Sequence, residues 1–165
     1  MRRALGIAVI VTGLAAGCGG PDPAAPSAAG GQATRAASGY PGATPQMMAL
    51  VDRYSAYHGI PGELLHRVIQ RESGYNAAAR NGPYWGLMQV LPETARTMGF
   101  RGAPSELLNA ETNLRYAGAY LRGAWIVSGG DLDEAVGWYA SGYYYEARDR
   151  CLLVETGLRD AEVRC

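Results

Sequence analysis

The sequence predicts an all-α domain behind an N-terminal stretch that cannot fold by itself, and three observations lead there. Apolar residues recur at helical spacing in one segment after another from about Gln46 onward. Helix punctuation brackets those segments, with Pro at first turns and Gly just past ends. No run of strictly alternating apolar and polar residues requires a sheet.

The chain opens Met1-Arg2-Arg3 and continues with an apolar run from Ala4 to Ala16, ending Leu14-Ala15-Ala16-Gly17-Cys18. That run is too short to span a bilayer as a helix and reads as a secretory signal over residues 1–17. The small residues before Cys18 resemble the lipobox of bacterial lipoproteins, with Ala15 where Leu is most common. The resemblance implies that Cys18 is acylated and becomes the new N-terminus; an ordinary secretory signal with an incidental Cys is the plainer alternative. Residues 18–45 are dominated by Ala, Gly, Pro and Ser, carry scarcely any large apolar side chain, and are expected to form a flexible tether.

Residues 46–165 are long enough for one compact domain. Met47, Leu50, Val51 and Tyr54 mark a first helix over 46–58, stopped by Gly59. Pro61 opens a second, with Gly74 past its end. Residues 76–86 form a loop containing Asn81-Gly82-Pro83, and a short helix from Pro92 to Met98 closes at Gly99. A longer helix over about 110–128 places Leu114, Gly118, Leu121 and Trp125 on one face, and Gly118 implies a close helix-to-helix contact. Asp131 with Glu134 resembles a capping box and starts a helix through Trp138 and Tyr139. A last helical segment is expected from Tyr144 to about Val154.

The formal charge of the full chain is zero, so no basic field for nucleic acid exists. All basic residues are Arg, which fits codon bias in a GC-rich genome. Setting Cys18 aside leaves Cys151 and Cys165, an even pair that an oxidising envelope compartment would let bond; two unpaired thiols are the alternative. His58 and His66 are isolated, without a second ligand at helical spacing, and His66 falls on the polar side of its helix. Both are expected to be solvated, and neither metal nor cofactor is implied.

The second helix carries the chemical anomaly. At about 100° per residue, Pro61, Val68, Ile69 and Glu72 all fall within roughly 60° of Leu65, so a carboxylate occupies the apolar stripe. Lost hydration favours its protonated form unless a cation pairs with it, and a carboxyl protonated near neutral pH is a general acid. A buried carboxylate paired with an Arg is the competing interpretation.

Glu72-Ser73, Gly86-Leu87-Met88-Gln89 followed by Pro92-Glu93-Thr94-Ala95, Asn113 with Tyr120-Leu121, and Trp138-Tyr139-Ala140-Ser141-Gly142 occur in the order and approximate spacing of the soluble lytic transglycosylases. The chain resembles that family over nearly all of residues 46 to 145. The resemblance implies a lysozyme-like fold (goose-type lysozyme and lytic transglycosylase) and cleavage of peptidoglycan glycan strands. It implies Glu72 as an acid that protonates the glycosidic oxygen between N-acetylmuramic acid and N-acetylglucosamine. The same group then accepts the C6 hydroxyl proton as that oxygen attacks C1, leaving a 1,6-anhydro end.

Ser73 is expected to orient Glu72 or contact substrate, Gln89 to meet an acetamido group or hydroxyl, Met88 and Leu91 to line the groove, and the Tyr139 hydroxyl to point at the acid. Asn81 falls near a position where the family often has a substrate-contacting Ser. Paired aromatics such as Tyr84-Trp85 and Trp138-Tyr139 suit stacking on sugar rings, whereas Tyr144 and Trp125 are expected to fill the core. Ala140 stands where the family usually has Asn.

The motif blocks offer no obvious second carboxylate, which favours intramolecular attack over hydrolysis. The alternatives are a hydrolytic muramidase or chitinase on the same fold, and a non-catalytic glycan-binding lipoprotein. The expected place is the cell envelope, facing the periplasm from a lipid anchor in the outer membrane, with any cell-wall machinery partner undefined.

Overall fold

A computed structural model of the chain describes residues 39–163 and 165. Cys18, the signal and most of the tether lie outside the described residues. Six α-helices make up most of the rest: α1 (Pro45–His58), α2 (Gly62–Glu72), α3 (Pro92–Thr97), α4 (Ala110–Val127), α5 (Leu132–Ser141) and α6 (Tyr144–Asp149). A 3-10 turn over Pro104–Leu108 precedes α4, and a two-residue hairpin pairs β1 (Arg80–Asn81) with β2 (Tyr84–Trp85). The hairpin is too short to show as alternation, and its turn is the Asn81-Gly82-Pro83-Tyr84 corner.

Helix ends are chemically marked. Thr44 accepts from Met47 N–H at 3.1 Å and Pro45 occupies the first turn, while Gly59 closes α1 in the left-handed conformation. Asn109 and Asp131 cap α4 and α5 by accepting from Thr112 N–H and Glu134 N–H at 3.0 and 2.8 Å. The last helix stops at Asp149, short of the expected Val154; Cys151 with φ +57° turns the chain there.

α4 is the central element. α1, α3, α5 and the 3-10 turn pack against it, and α2 packs on α1 and α5. Leu114, Ala117, Leu121, Ala124 and Val127 line its buried side. Gly118 admits the imidazole of His58: a Cβ there would lie 2.5 Å from Nε2. His58 is consequently buried, with Nε2–H donated to Leu114 O at 2.9 Å. Its neighbours correct the expectation of a solvated ring, and burial lowers its pKa.

His66 departs in the same way. Its flank of α2 is covered by Tyr40, which stacks on the imidazole at 4.0 Å between centroids, and by Tyr75, whose hydroxyl is 2.6 Å from Nδ1. The packed region therefore begins by Tyr40 rather than at residue 46. A helical wheel for α2 cannot include a residue so far upstream.

After α6 the chain coils over one end of the bundle. Leu153 and Thr156 are buried, the Glu162 carboxylate accepts from Leu153 N–H and Val154 N–H, and Cys151 and Cys165 are joined as a disulfide with Cα atoms 5.9 Å apart. The bridge closes a loop of 14-residue separation, worth up to about 3 kcal/mol by chain entropy. Reduction should fray this segment without unfolding the bundle; hydrogen exchange should show protection lost at Leu153, Leu158 and Arg159 and retained in α4.

Candidate active site

The site is organised around residues 86–89. Trp85 and Val90 exchange backbone hydrogen bonds at 3.0 and 3.1 Å, closing a four-residue loop between them. Leu87 and Met88 point into the core, each 0% exposed. Burying apolar side chains from a loop also buries its peptide groups, which then need partners.

Those partners come from distant helices. Asn113, on the buried face of α4 and 0% exposed, accepts from Met88 N–H at 2.8 Å and donates through Nδ2 to Trp85 O and Leu107 O, both at 2.9 Å. Tyr139 of α5 donates its hydroxyl to Met88 O at 2.8 Å, and Ser73 donates to Leu87 O at 2.6 Å. Gly86, at φ +75°, leaves the space that Asn113 fills: a Cβ there would sit 2.1 Å from Leu107 O and 2.4 Å from Asn113 Nδ2. Gln89 adopts φ +49°, costly for a non-glycine residue. Its Nε2 offsets this by donating to Gly86 O and Ala79 O at 2.8 and 3.2 Å.

Glu72 ends α2 beside this loop. Its side chain is 24% exposed, and its one ion pair among the described residues is a loose contact with Arg71 Nε at 3.7 Å. Burial raises its pKa, and Arg71 offsets part of the rise. The neighbouring charge of Glu72, after burial itself, helps push the Tyr139 phenol well above its ordinary value, which puts Tyr139 within electrostatic reach of the acid.

A cavity of about 280 Å³ opens next to Tyr139, lined among others by Tyr84, Gln89, Leu91, Thr94, Tyr120 and Ala140. No Asp or Glu lines it. Tyr120 meets Tyr139 edge-on at 5.6 Å and stacks on Tyr143 at 4.7 Å.

Five sequence expectations change. Met88 lies in the core and offers backbone groups, not a groove wall. Ser73 braces the loop rather than orienting Glu72 directly, because its proton goes to Leu87 O. The Tyr139 hydroxyl is likewise committed to a carbonyl. Asn81 is exposed on the hairpin and is not among the lining residues, although its cross-strand partner Tyr84 is. Tyr144 is half-buried, packed against the core on one side and lining a surface concavity on the other. Gln89 and Leu91 do line the cavity. Asn113 and Tyr120 were missed as site residues, although an amide among Leu114, Ala117 and Leu121 on one helix face carries the same signal that singled out Glu72.

The family model of the transglycosylase SLT domain matches residues 49–149. The chain belongs to this family. Among solved structures it is similar to the 70 kDa soluble lytic transglycosylase from Escherichia coli, with 26% identity and a TM-score of 0.54 over 66% of this chain and 18% of that one. The chain spans less than a fifth of that relative's length.

The mostly helical architecture is the lysozyme-like fold of the transglycosylase SLT domain. The matched residues include Glu72, the 86–89 loop, Asn113 and Tyr139, whereas Cys151 to Cys165 lie beyond them. Among the described residues no three His, Cys, Asp or Glu side chains group as metal ligands would.

Asn113→Ala would orphan a buried N–H and two carbonyls and leave a void, a loss of about 3 kcal/mol or more; chemical denaturation should register it. Tyr139→Phe removes one hydrogen bond and is expected to cost about 1–2 kcal/mol. The same change should lower kcat more than it raises KM, since what moves is the loop and not a substrate contact.

Proposed function

We propose that this domain cleaves the β-1,4 bond between N-acetylmuramic acid and N-acetylglucosamine in peptidoglycan without consuming water, with Glu72 as acid and then base. The supporting observation is the state of Glu72: a half-buried carboxyl at a helix end, its pKa raised by burial, weakly countered by Arg71, and within electrostatic reach of Tyr139, which lines the cavity. Family membership and the likeness to a soluble lytic transglycosylase from Escherichia coli support the same reaction class.

In the proposed cycle, protonated Glu72 gives its proton to the glycosidic oxygen as the C1–O bond breaks. The C6 hydroxyl oxygen of the same muramic ring bonds to C1, and its proton passes to the Glu72 carboxylate. The acid is regenerated, the product ends in a 1,6-anhydro ring, and atoms balance without an external reactant. An internal nucleophile held near C1 acts at high effective molarity, so no second carboxylate is needed to activate water. Gln89 and Leu91 are proposed to contact the strand in the cavity, with Tyr84 and Tyr120 as stacking surfaces. Ser73 and Tyr139 serve as positioning residues, and Ala140 presents a methyl where most relatives have an amide.

We also propose that residues 1–17 export the chain and that Cys18 is lipidated, tethering the domain on the periplasmic side of the outer membrane. Among the described residues no helix is long and apolar enough to cross a membrane. If Cys18→Ala takes up a fatty-acid analogue as well as wild type, the anchor is wrong.

Digested sacculi should yield anhydro-muropeptides by mass, and Glu72→Gln should yield none; reducing ends without the anhydro mass would indicate a hydrolase. The donor form of Glu72 disappears as pH rises through its raised pKa, so kcat/KM falls on the alkaline side. Arg71 lowers that pKa, hence Arg71→Gln should move the fall to higher pH. A carboxyl with a raised folded pKa contributes stability below its unfolded pKa, and that contribution is lost as pH rises through the folded value. Glu72→Gln should therefore melt above wild type at pH 7, the difference vanishing below about pH 4.

A further inference from the structure

Beyond Tyr120 the groove continues. A concavity of about 480 Å³ adjoins the cavity beside Tyr139, the two sharing Thr94 and Tyr120 as walls. One side is α3, with Glu93, Thr94 and Thr97; the other is Tyr144, Leu158 and Arg159. Leu158 and Arg159 lie beyond the residues that the family model matches, whereas Tyr144 lies within them.

The wall is built rather than loose. Arg159 N–H and Leu158 N–H both donate to Leu153 O, at 3.2 and 3.0 Å, and Leu153 is fully buried. Thr156 Oγ1 donates to Leu152 O, Glu162 accepts from the amides of 153 and 154, and the Cys151–Cys165 bridge encloses the segment.

The Arg159 guanidinium lies over the Tyr144 ring, 5.7 Å from its centroid, and both residues line the concavity. Arg96, Arg148 and Arg150 nearby each pair with a carboxylate, namely Glu93, Asp149 and Glu146. Arg159 is in none of the ion pairs of the described residues. A guanidinium oriented over a ring and not neutralised from within suits a planar carboxylate from outside.

We propose that this concavity is a second subsite, taking the carboxylate-bearing peptide stem of a peptidoglycan strand whose sugars lie in the adjoining cavity, with Arg159 as its carboxylate-binding group. It rests on the peptidoglycan reading above. A strand carries an acidic peptide on every muramic ring, whereas its sugar backbone offers hydroxyls and acetamides. Tyr144 and Leu158 give the stem an apolar floor. The disulfide's role is then to hold a binding wall, beyond its contribution to stability.

The test uses the full chain and two substrates: peptidoglycan strands with stems, and strands stripped of stems by an amidase. Arg159→Ala should reduce the ratio of cleavage rates, stem-bearing to stem-free, roughly tenfold, the size expected for one charge-assisted contact. Arg159→Lys should restore part of that ratio. Arg159→Ala in the Glu72→Gln background, which cannot turn over, should show the same selective loss in binding. Replacing both cysteines by Ser should lower the ratio in the same direction, with α4 still protected from hydrogen exchange.

An unchanged ratio overturns the subsite. Equal losses on both substrates also overturn it and make the concavity a sugar site. If wild type releases no anhydro product from either substrate, the reaction is wrong, while the binding arm still decides whether Arg159 recognises stems.

Discussion

One buried amide carries the site. Asn113 binds three peptide groups from three places in the chain: Met88 N–H, Trp85 O and Leu107 O. A loop that buries Leu87 and Met88 has no helix or sheet to satisfy its backbone, and solvent cannot reach it. A side chain with one acceptor and two donors in a plane is what the gap demands. Asp in its place would present a second acceptor to two carbonyls, and Leu would satisfy none. The left-handed Gly86 follows from the same constraint, because the amide occupies the space a Cβ would need. With α4 central to the packing, Asn113 fixes the loop to the most rigid element available.

The loop in turn relates the two sides of the site. Ser73 ties it to the end of α2, one residue beyond Glu72, and Tyr139 ties it to α5. Both use hydroxyl donors on adjacent carbonyls, so the distance between the acid and the tyrosine wall is set by a single rigid turn. Each hydroxyl thereby spends its proton on a backbone carbonyl. Had Ser73 or Tyr139 donated to Glu72, the charged form would have been stabilised and its pKa lowered. Withholding those donors leaves desolvation as the dominant influence, with Arg71, loosely placed, as its counterweight.

Glu72 was legible in the sequence because its anomaly is local: an acid on the stripe defined by Leu65, Val68 and Ile69 can be seen within three turns of one helix. The order of elements and the helix ends were legible for the same reason, since Thr44, Gly59, Asn109 and Asp131 act on neighbours. What was not legible involves parts of the chain far apart. His66 looks solvent-facing until Tyr40 covers it, and His58 until Gly118 admits it. Met88, Ser73 and Tyr139 read as substrate contacts because a sequence displays side chains and conceals the backbone carbonyls that they serve or carry. The hairpin escaped because two residues per strand make no period.

The scaffold and Glu72 also differ in how they answer to pH. Burial raises the phenols of Tyr139 and Tyr143, and that of Tyr75 to about 12, so Tyr139 and Tyr143 stay protonated and keep donating to Met88 O and Tyr120 O across the physiological range. His58 and His66 are shifted down by burial and remain neutral there, held by Leu114 O and the Tyr75 hydroxyl. Burial thus moves every one of these groups away from neutrality while drawing the Glu72 carboxyl toward it. One physical cause acts with opposite consequence: phenols and imidazoles become fixed hydrogen-bonding parts, and the carboxyl becomes a group whose proton is available. The hydrogen bonds through which Asn113, Ser73 and Tyr139 set the loop geometry run to backbone groups and include none to the Glu72 carboxyl.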